Sequence, residues 1–165
     1  MKTKLILSAC ALLALALLPS CQPSIASPAE LEWPIEEVVE IRVYRTNWDQ
    51  ASGFELILDG DNGLNAKAKR MPEEGIVLNA EQTAQLHQAM FTGEPFQPSP
   101  HGCLFVPHHA FVFLDANQKV LGSLDICFNC LEFKSSAKGF DDAVNYDGLK
   151  ALFGDLNVPI RNPEW

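Results

Sequence analysis

Apolar and polar residues alternate over residues 38–46, with Val39, Ile41 and Val43 on one face and Glu40 and Arg42 on the other. A period of two marks a half-buried strand. Residues 54–59 repeat it through Phe54, Leu56 and Leu58, and Gly53 lies in the connection, so an antiparallel hairpin is predicted. The acidic stretch Asp59-Gly60-Asp61-Asn62-Gly63 has neither the spacing nor the last glutamate of a helix–loop–helix calcium loop and reads as a turn. A helical period takes over at Asn79, an N-cap with Gln82 three positions on. Leu86, Ala89 and Met90 form its apolar stripe, Gly93 and Pro95 stop it, and His87 lies off the stripe as a solvated side chain. A second helix is expected from a cap at Asp147 through Leu149, Leu152 and Phe153 to a stop at Gly154.

Residues 104–115 are apolar on both faces, with Phe105, Phe111 and Phe113 on one and Val106, Val112 and Leu114 on the other. Such a run predicts an interior strand covered on two sides. A turn at residues 116–119 leads into a return strand over residues 120–131, where Leu124, Ile126 and Phe128 face the core and Ser123, Asp125, Cys127 and Asn129 face away. The pattern as a whole predicts a single small α+β domain over residues 33–165, a mostly antiparallel sheet with one or two packed helices.

The start of the chain follows a different rule. Lys2 and Lys4 precede an apolar run over residues 5–18, and Pro19-Ser20-Cys21 follows it. The run is shorter than the roughly 20 residues a spanning helix needs and has the length and flanks of a secretory signal. Leu18, Ser20 and Cys21 resemble the lipobox of bacterial lipoproteins. A second match, Leu7-Ser8-Ala9-Cys10, leaves too short an apolar stretch ahead of it. The resemblance implies a signal peptide over residues 1–20 and Cys21 as an acylated N-terminus, carrying acyl chains such as palmitate and holding the protein to a membrane. Gln22 stands where an aspartate marks inner-membrane retention, which implies the outer membrane, facing the periplasm. Residues 21–32 are rich in Pro, Ser and Ala and read as a flexible tether.

Charge narrows the partners. The chain carries 12 basic and 21 acidic residues; without Lys2 and Lys4, ten bases face the same acids, a net charge near −11. Such a surface argues against nucleic acid and against electrostatic docking on anionic lipid. It leaves membrane attachment to the lipid and leaves room for an envelope protein partner.

The candidate chemistry lies in Cys103-x4-His108-His109-x17-Cys127-x2-Cys130. If residues 104–131 form a hairpin, this linear spacing becomes proximity, because opposed Cβ atoms on paired strands lie about 5 Å apart and diagonal ones about 7–8 Å apart. Three thiolates and one imidazole make a closed tetrahedral zinc site, with Cys103, His109, Cys127 and Cys130 as ligands. His109 is preferred over His108 because a three-residue loop puts it on the face of Cys127. Two other readings stand beside zinc in a structural or sensing role. In an oxidising compartment Cys103 can pair with Cys127 or Cys130, leaving one thiol over. A Cys127–Cys130 pair would instead be a redox motif, with a neighbouring histidine activating a thiol and Asp125 the nearby orienting candidate.

The segments Pro-His-His-Ala-Phe-Val-Phe-Leu-Asp and Ile-Cys-Phe-Asn-Cys, together with the signal, resemble a stretch of uncharacterised bacterial lipoproteins. That resemblance implies an envelope location and the pairing of the two segments, and it implies no reaction. No phosphate-cradling glycine loop, carboxylate pair or Gly-x-Ser-x-Gly elbow points to an enzyme class, so a non-enzymatic role is the expectation.

Overall fold

A computed structural model describes residues 31–48, 55–60, 63–91, 103–140 and 144–160. The signal, Cys10, Cys21 and most of the tether lie outside them. The elements are β1 (Glu40–Thr46), β2 (Leu58–Asp59), β3 (Gly63–Leu64), β4 (Arg70–Val77), α1 (Ala80–Phe91), β5 (His109–Leu114), β6 (Val120–Cys127), β7 (Glu132–Ser135) and α2 (Tyr146–Asp155). Five strands make one antiparallel sheet in the order β4-β1-β5-β6-β7, and β2 and β3 pair separately. The fold is α+β, as the pattern predicts.

β5 holds the centre of the sheet and is buried along its whole length. Phe111 and Phe113, with Ile41, Val43, Leu124 and Ile126, face the two helices and join Leu86, Leu149, Leu152 and Phe153 in the main core. Each fully buried side chain of this size contributes roughly 1.5–3 kcal/mol. On the opposite face Ala110, Val112 and Leu114 pack with Tyr44 under Ile57. The described residues of 55–60 and 63–68 form that cover. Asn47 Nδ2 donates to the Glu55 carbonyl at 2.7 Å, Asn65 N–H to the Ile57 carbonyl at 2.8 Å, and Ile57 N–H to Asp125 Oδ1 at 2.8 Å. A strand buried on both faces reads as a continuous apolar run for this reason.

Local signals set the helix starts. Asn79 and Gln82 form a reciprocal capping box, Gln82 N–H donating to Asn79 Oδ1 at 2.9 Å and Asn79 N–H to Gln82 Oε1 at 3.0 Å. His87 is not simply solvated: its Nε2 meets the Glu32 carbonyl at 3.0 Å and its ring lies against Trp33 and Phe91. α2 is capped by Asn145, whose Oδ1 accepts the Gly148 N–H at 2.9 Å, rather than by Asp147. Gly154 lies inside that helix, and the left-handed residue after its end is Asn157. Gly93 and Pro95 fall outside the described residues.

The expected first hairpin does not form. β1 pairs with β4 and β5, while Leu58 pairs with Leu64 and Asp59 with Gly63 across the predicted acidic turn. An alternating segment pairs only where register and neighbours allow it, and the Ile57 region is used as a lid over the sheet instead. β4 and β7 flank the sheet; β7 alternates over only four residues, and β4 carries no clean period. Pro72, Glu73 and Glu74 interrupt β4, which suits an outer strand that must not recruit another.

Gly75 has φ +75°, and a Cβ added there would stand 2.6 Å from Tyr44 Cζ, on a ring that is buried under the lid. Gly75→Ala is expected to cost about 1–3 kcal/mol, because backbone strain and a collision act together. Urea unfolding measures it; a loss smaller than that of an alanine at exposed Gly60, which meets nothing within 4 Å, would contradict this packing.

Candidate functional site at the cysteine–histidine end of the sheet

The connection between β5 and β6 places the candidate residues. Asp115 N–H donates to the Lys119 carbonyl at 3.0 Å, closing the three-residue loop that the spacing suggests. Leu114 then pairs with Val120, but Phe113 pairs with Gly122, so Leu121 is an extra residue on β6. The bulge moves the register by one, and His109 pairs with Ile126. A one-residue shift turns every later side chain to the other face. His109 therefore faces the helices with Ile126, while Asp125 and Cys127 follow the opposite face.

The four expected ligands are not brought together. Cys103 and Cys130 form a disulfide with Cα atoms 5.5 Å apart, closing a 27-residue separation. Cys127 is a free, buried thiol. His109 lies across the sheet from it, so the expected convergence of Cys103, His109, Cys127 and Cys130 is corrected by the bulge and the disulfide. Among the described residues no group of three or more His, Cys, Asp or Glu side chains is placed to hold a metal ion.

His109 is fully buried among aromatic rings, with Phe153 at 4.5 Å, Phe128 at 5.2 Å and Trp48 at 5.7 Å between centroids. Its Nε2–H donates to the Pro159 carbonyl at 3.0 Å, and Nδ1 has no hydrogen-bond partner among the described residues. Burial lowers its pKa to about 4, the Pro159 carbonyl opposing that shift, and His108 and Arg45 add a little repulsion. The ring is neutral at pH 7 and offers one lone pair. A metal-binding imidazole also gives its other N–H to a carbonyl, but among the described residues no metal-ligand group forms around this one. Arg45, opposite His109 on β1, stacks on Trp48 at 4.4 Å. His108 Nδ1 meets the Asn47 carbonyl at 3.2 Å, and burial lowers its pKa too.

Asp125 does not orient a histidine. Its Oδ1 accepts Ile57 N–H, and its Oδ2 accepts the Ser123 hydroxyl at 3.3 Å. Burial raises its pKa to about 6 despite these two bonds and Lys134 nearby. It pins the lid to the sheet. Asn47, Trp48, Ile57 and Pro159 escaped the sequence reading, since none lies within the Cys–His stretch. Asn47 alone carried a signal, as a residue type that tolerates the positive φ it adopts after β1. No protein-family model, no curated protein and no solved structure matches the chain.

His109 and Asp125 titrate in opposite senses over one pH window. The unfolded chain takes a proton on His109 between pH 6.5 and about 4 that the folded chain refuses, so that contribution is full above 6.5 and lost as pH falls. Folded Asp125 keeps a proton between about 6 and 3.8 that the unfolded chain has released, so its contribution is full below 3.8 and lost as pH rises through 6. Each shift corresponds to roughly 3 kcal/mol at most. Asp125→Asn keeps an acceptor for Ile57 N–H and is expected to stabilise the protein at pH 7.5, by up to about 3 kcal/mol. Its stability should then fall more steeply than the wild type's between pH 7 and 4. Urea unfolding across that range decides it, and a variant weaker than wild type at pH 7.5 refutes the buried-carboxylate cost.

Proposed function

We propose that this chain is a bacterial lipoprotein, acylated at Cys21 and held at the periplasmic face of the outer membrane, whose folded domain is a disulfide-stapled, non-enzymatic interaction module. The observation that carries this reading is the Cys103–Cys130 disulfide. Such bonds persist in oxidising compartments, which is where the signal would send the chain. The bond ties the irregular segment leading into β5 to the turn after β6, and closing a loop of this size contributes about 3–4 kcal/mol in the chain-entropy view. Two further features support the module. No helix among the described residues is long and apolar enough to cross a membrane. The titratable groups with the largest shifts, His109 and Asp125, are buried in structural bonds and do not face a solvent-open cleft.

A zinc reading needs Cys103 and Cys130 reduced and His109 and Cys127 on one face. Intact mass of the full chain purified from membranes separates the readings. The proposal expects acylation at Cys21, a mass two units below the fully reduced value and no bound metal. Chelator should leave the unfolding midpoint unchanged, while replacing Cys103 and Cys130 together by serine should cost about 2–5 kcal/mol. One zinc per chain with three reduced thiols overturns the module, and a chain recovered without acyl groups from the soluble fraction overturns the anchor.

A further inference from the structure

The segment from Leu31 to Val39 and the turn between β5 and β6 enclose an open groove of about 590 Å³. Trp33 and Val39 give it apolar surface; Glu32, Glu36, Glu37 and Asp115 give it four carboxylates, and among the described residues no lysine or arginine lines it. Trp33 is anchored from behind, its ring 5.3 Å from Phe113 and 5.9 Å from Phe91, so this surface does not collapse into the groove. Val39 is 47% exposed although it sits beside buried Val38. The Asp115 carboxylate is held in place by the N–H groups of Asn117 at 2.8 Å and Lys119 at 2.9 Å. The Glu32 carbonyl meets His87 Nε2, which ties the same wall to α1. The groove is therefore a supported shape with one sign of charge.

From this geometry we infer that the groove docks a lysine- or arginine-bearing segment of an envelope protein, a step that rests on reading the chain as an interaction module. Lys and Arg side chains carry an apolar stem and a cationic head, and the groove offers a match for each part. An aromatic wall adds attraction for the cation. A volume within the range of small-molecule sites would accept two or three side chains, and its open side lets a polypeptide enter and leave. A chain with net charge −9 also draws a basic partner from a distance, which favours encounter more than final affinity. A free polyamine would satisfy the carboxylates but leave Trp33 and Val39 in water.

The test is calorimetric titration of the full chain in neutral detergent with the acetylated, amidated tetrapeptide Lys-Val-Lys-Val. One-to-one binding is expected. Glu36→Gln with Glu37→Gln should weaken it about tenfold, since the pair removes two of the four lining carboxylates and exposed ion pairs are individually weak. Raising salt from about 0.05 to 0.5 M should weaken the wild type more than this variant. Glu132→Gln, on exposed β7, should change nothing. The proposal is overturned by no binding, by equal losses in Glu132→Gln, by spermidine binding as tightly as the peptide, or by binding that appears only once residues 22–30 are deleted. An intact disulfide and an acylated Cys21 without peptide binding sink the groove alone. Peptide binding by a chain lacking both leaves the groove standing and sinks the lipoprotein reading.

Discussion

The pairing of β5 with β6 decides which side chains of this protein meet, and one extra residue in it decides the faces. With Leu114 opposite Val120 and Phe113 opposite Gly122, Leu121 shifts all later pairs by one. His109 is sent under α2, where its Nε2–H reaches Pro159 and its ring fills space between Phe128 and Phe153. Asp125 is sent to the other face, where it receives the Ile57 N–H and holds down the lid. Without the bulge His109 would stand on the side of Cys127, and the aromatic box under α2 would lose its polar member. The disulfide between Cys103 and Cys130 closes the same end of the hairpin, so register and covalent bond reinforce each other.

Both faces of the sheet thus hide an ionisable group, and each has a backbone partner, the Pro159 carbonyl for His109 and the Ile57 N–H for Asp125. This is a costly way to build a core unless each group stays neutral or fully bonded. His109 meets that condition by giving up its proton, and Asp125 by having two hydrogen bonds at the edge of a lid. Their opposite responses to acid leave the sheet less sensitive to pH than either group alone would.

Much of the sheet's interior is legible in the residues themselves. The apolar run through Phe111, Val112, Phe113 and Leu114 announces a central strand, and both faces of it are covered. The facing of Leu124 and Ile126 against Ser123 and Asp125 follows from a period of two, and the Asn79–Gln82 box marks the start of α1. What stays hidden is non-local. Nothing in Val-Leu-Gly-Ser marks Leu121 as a bulge, because the register is set by partners across the sheet. β4 has no period, since Pro72, Glu73 and Glu74 interrupt it before Ile76 packs against the core. The Ile57 segment alternates like a strand and serves as a lid, because Asp125, 68 residues later, captures its backbone. At the candidate site the Cys103–Cys130 bond with one thiol left over is among the pairings the spacing allows, while the face taken by His109 is hidden, because one residue of register decides it.

The most direct test of this account is the register itself. Cross-strand proton–proton NOEs in the labelled full chain should connect the backbone of His109 with Ile126 and of Phe113 with Gly122, while Leu114 connects with Val120. Contacts of Leu114 with Val120 that continue without a shift, pairing Phe113 with Leu121 and His109 with Asp125, would show that there is no bulge. His109 and Cys127 would then share a face, and the central claim would be wrong.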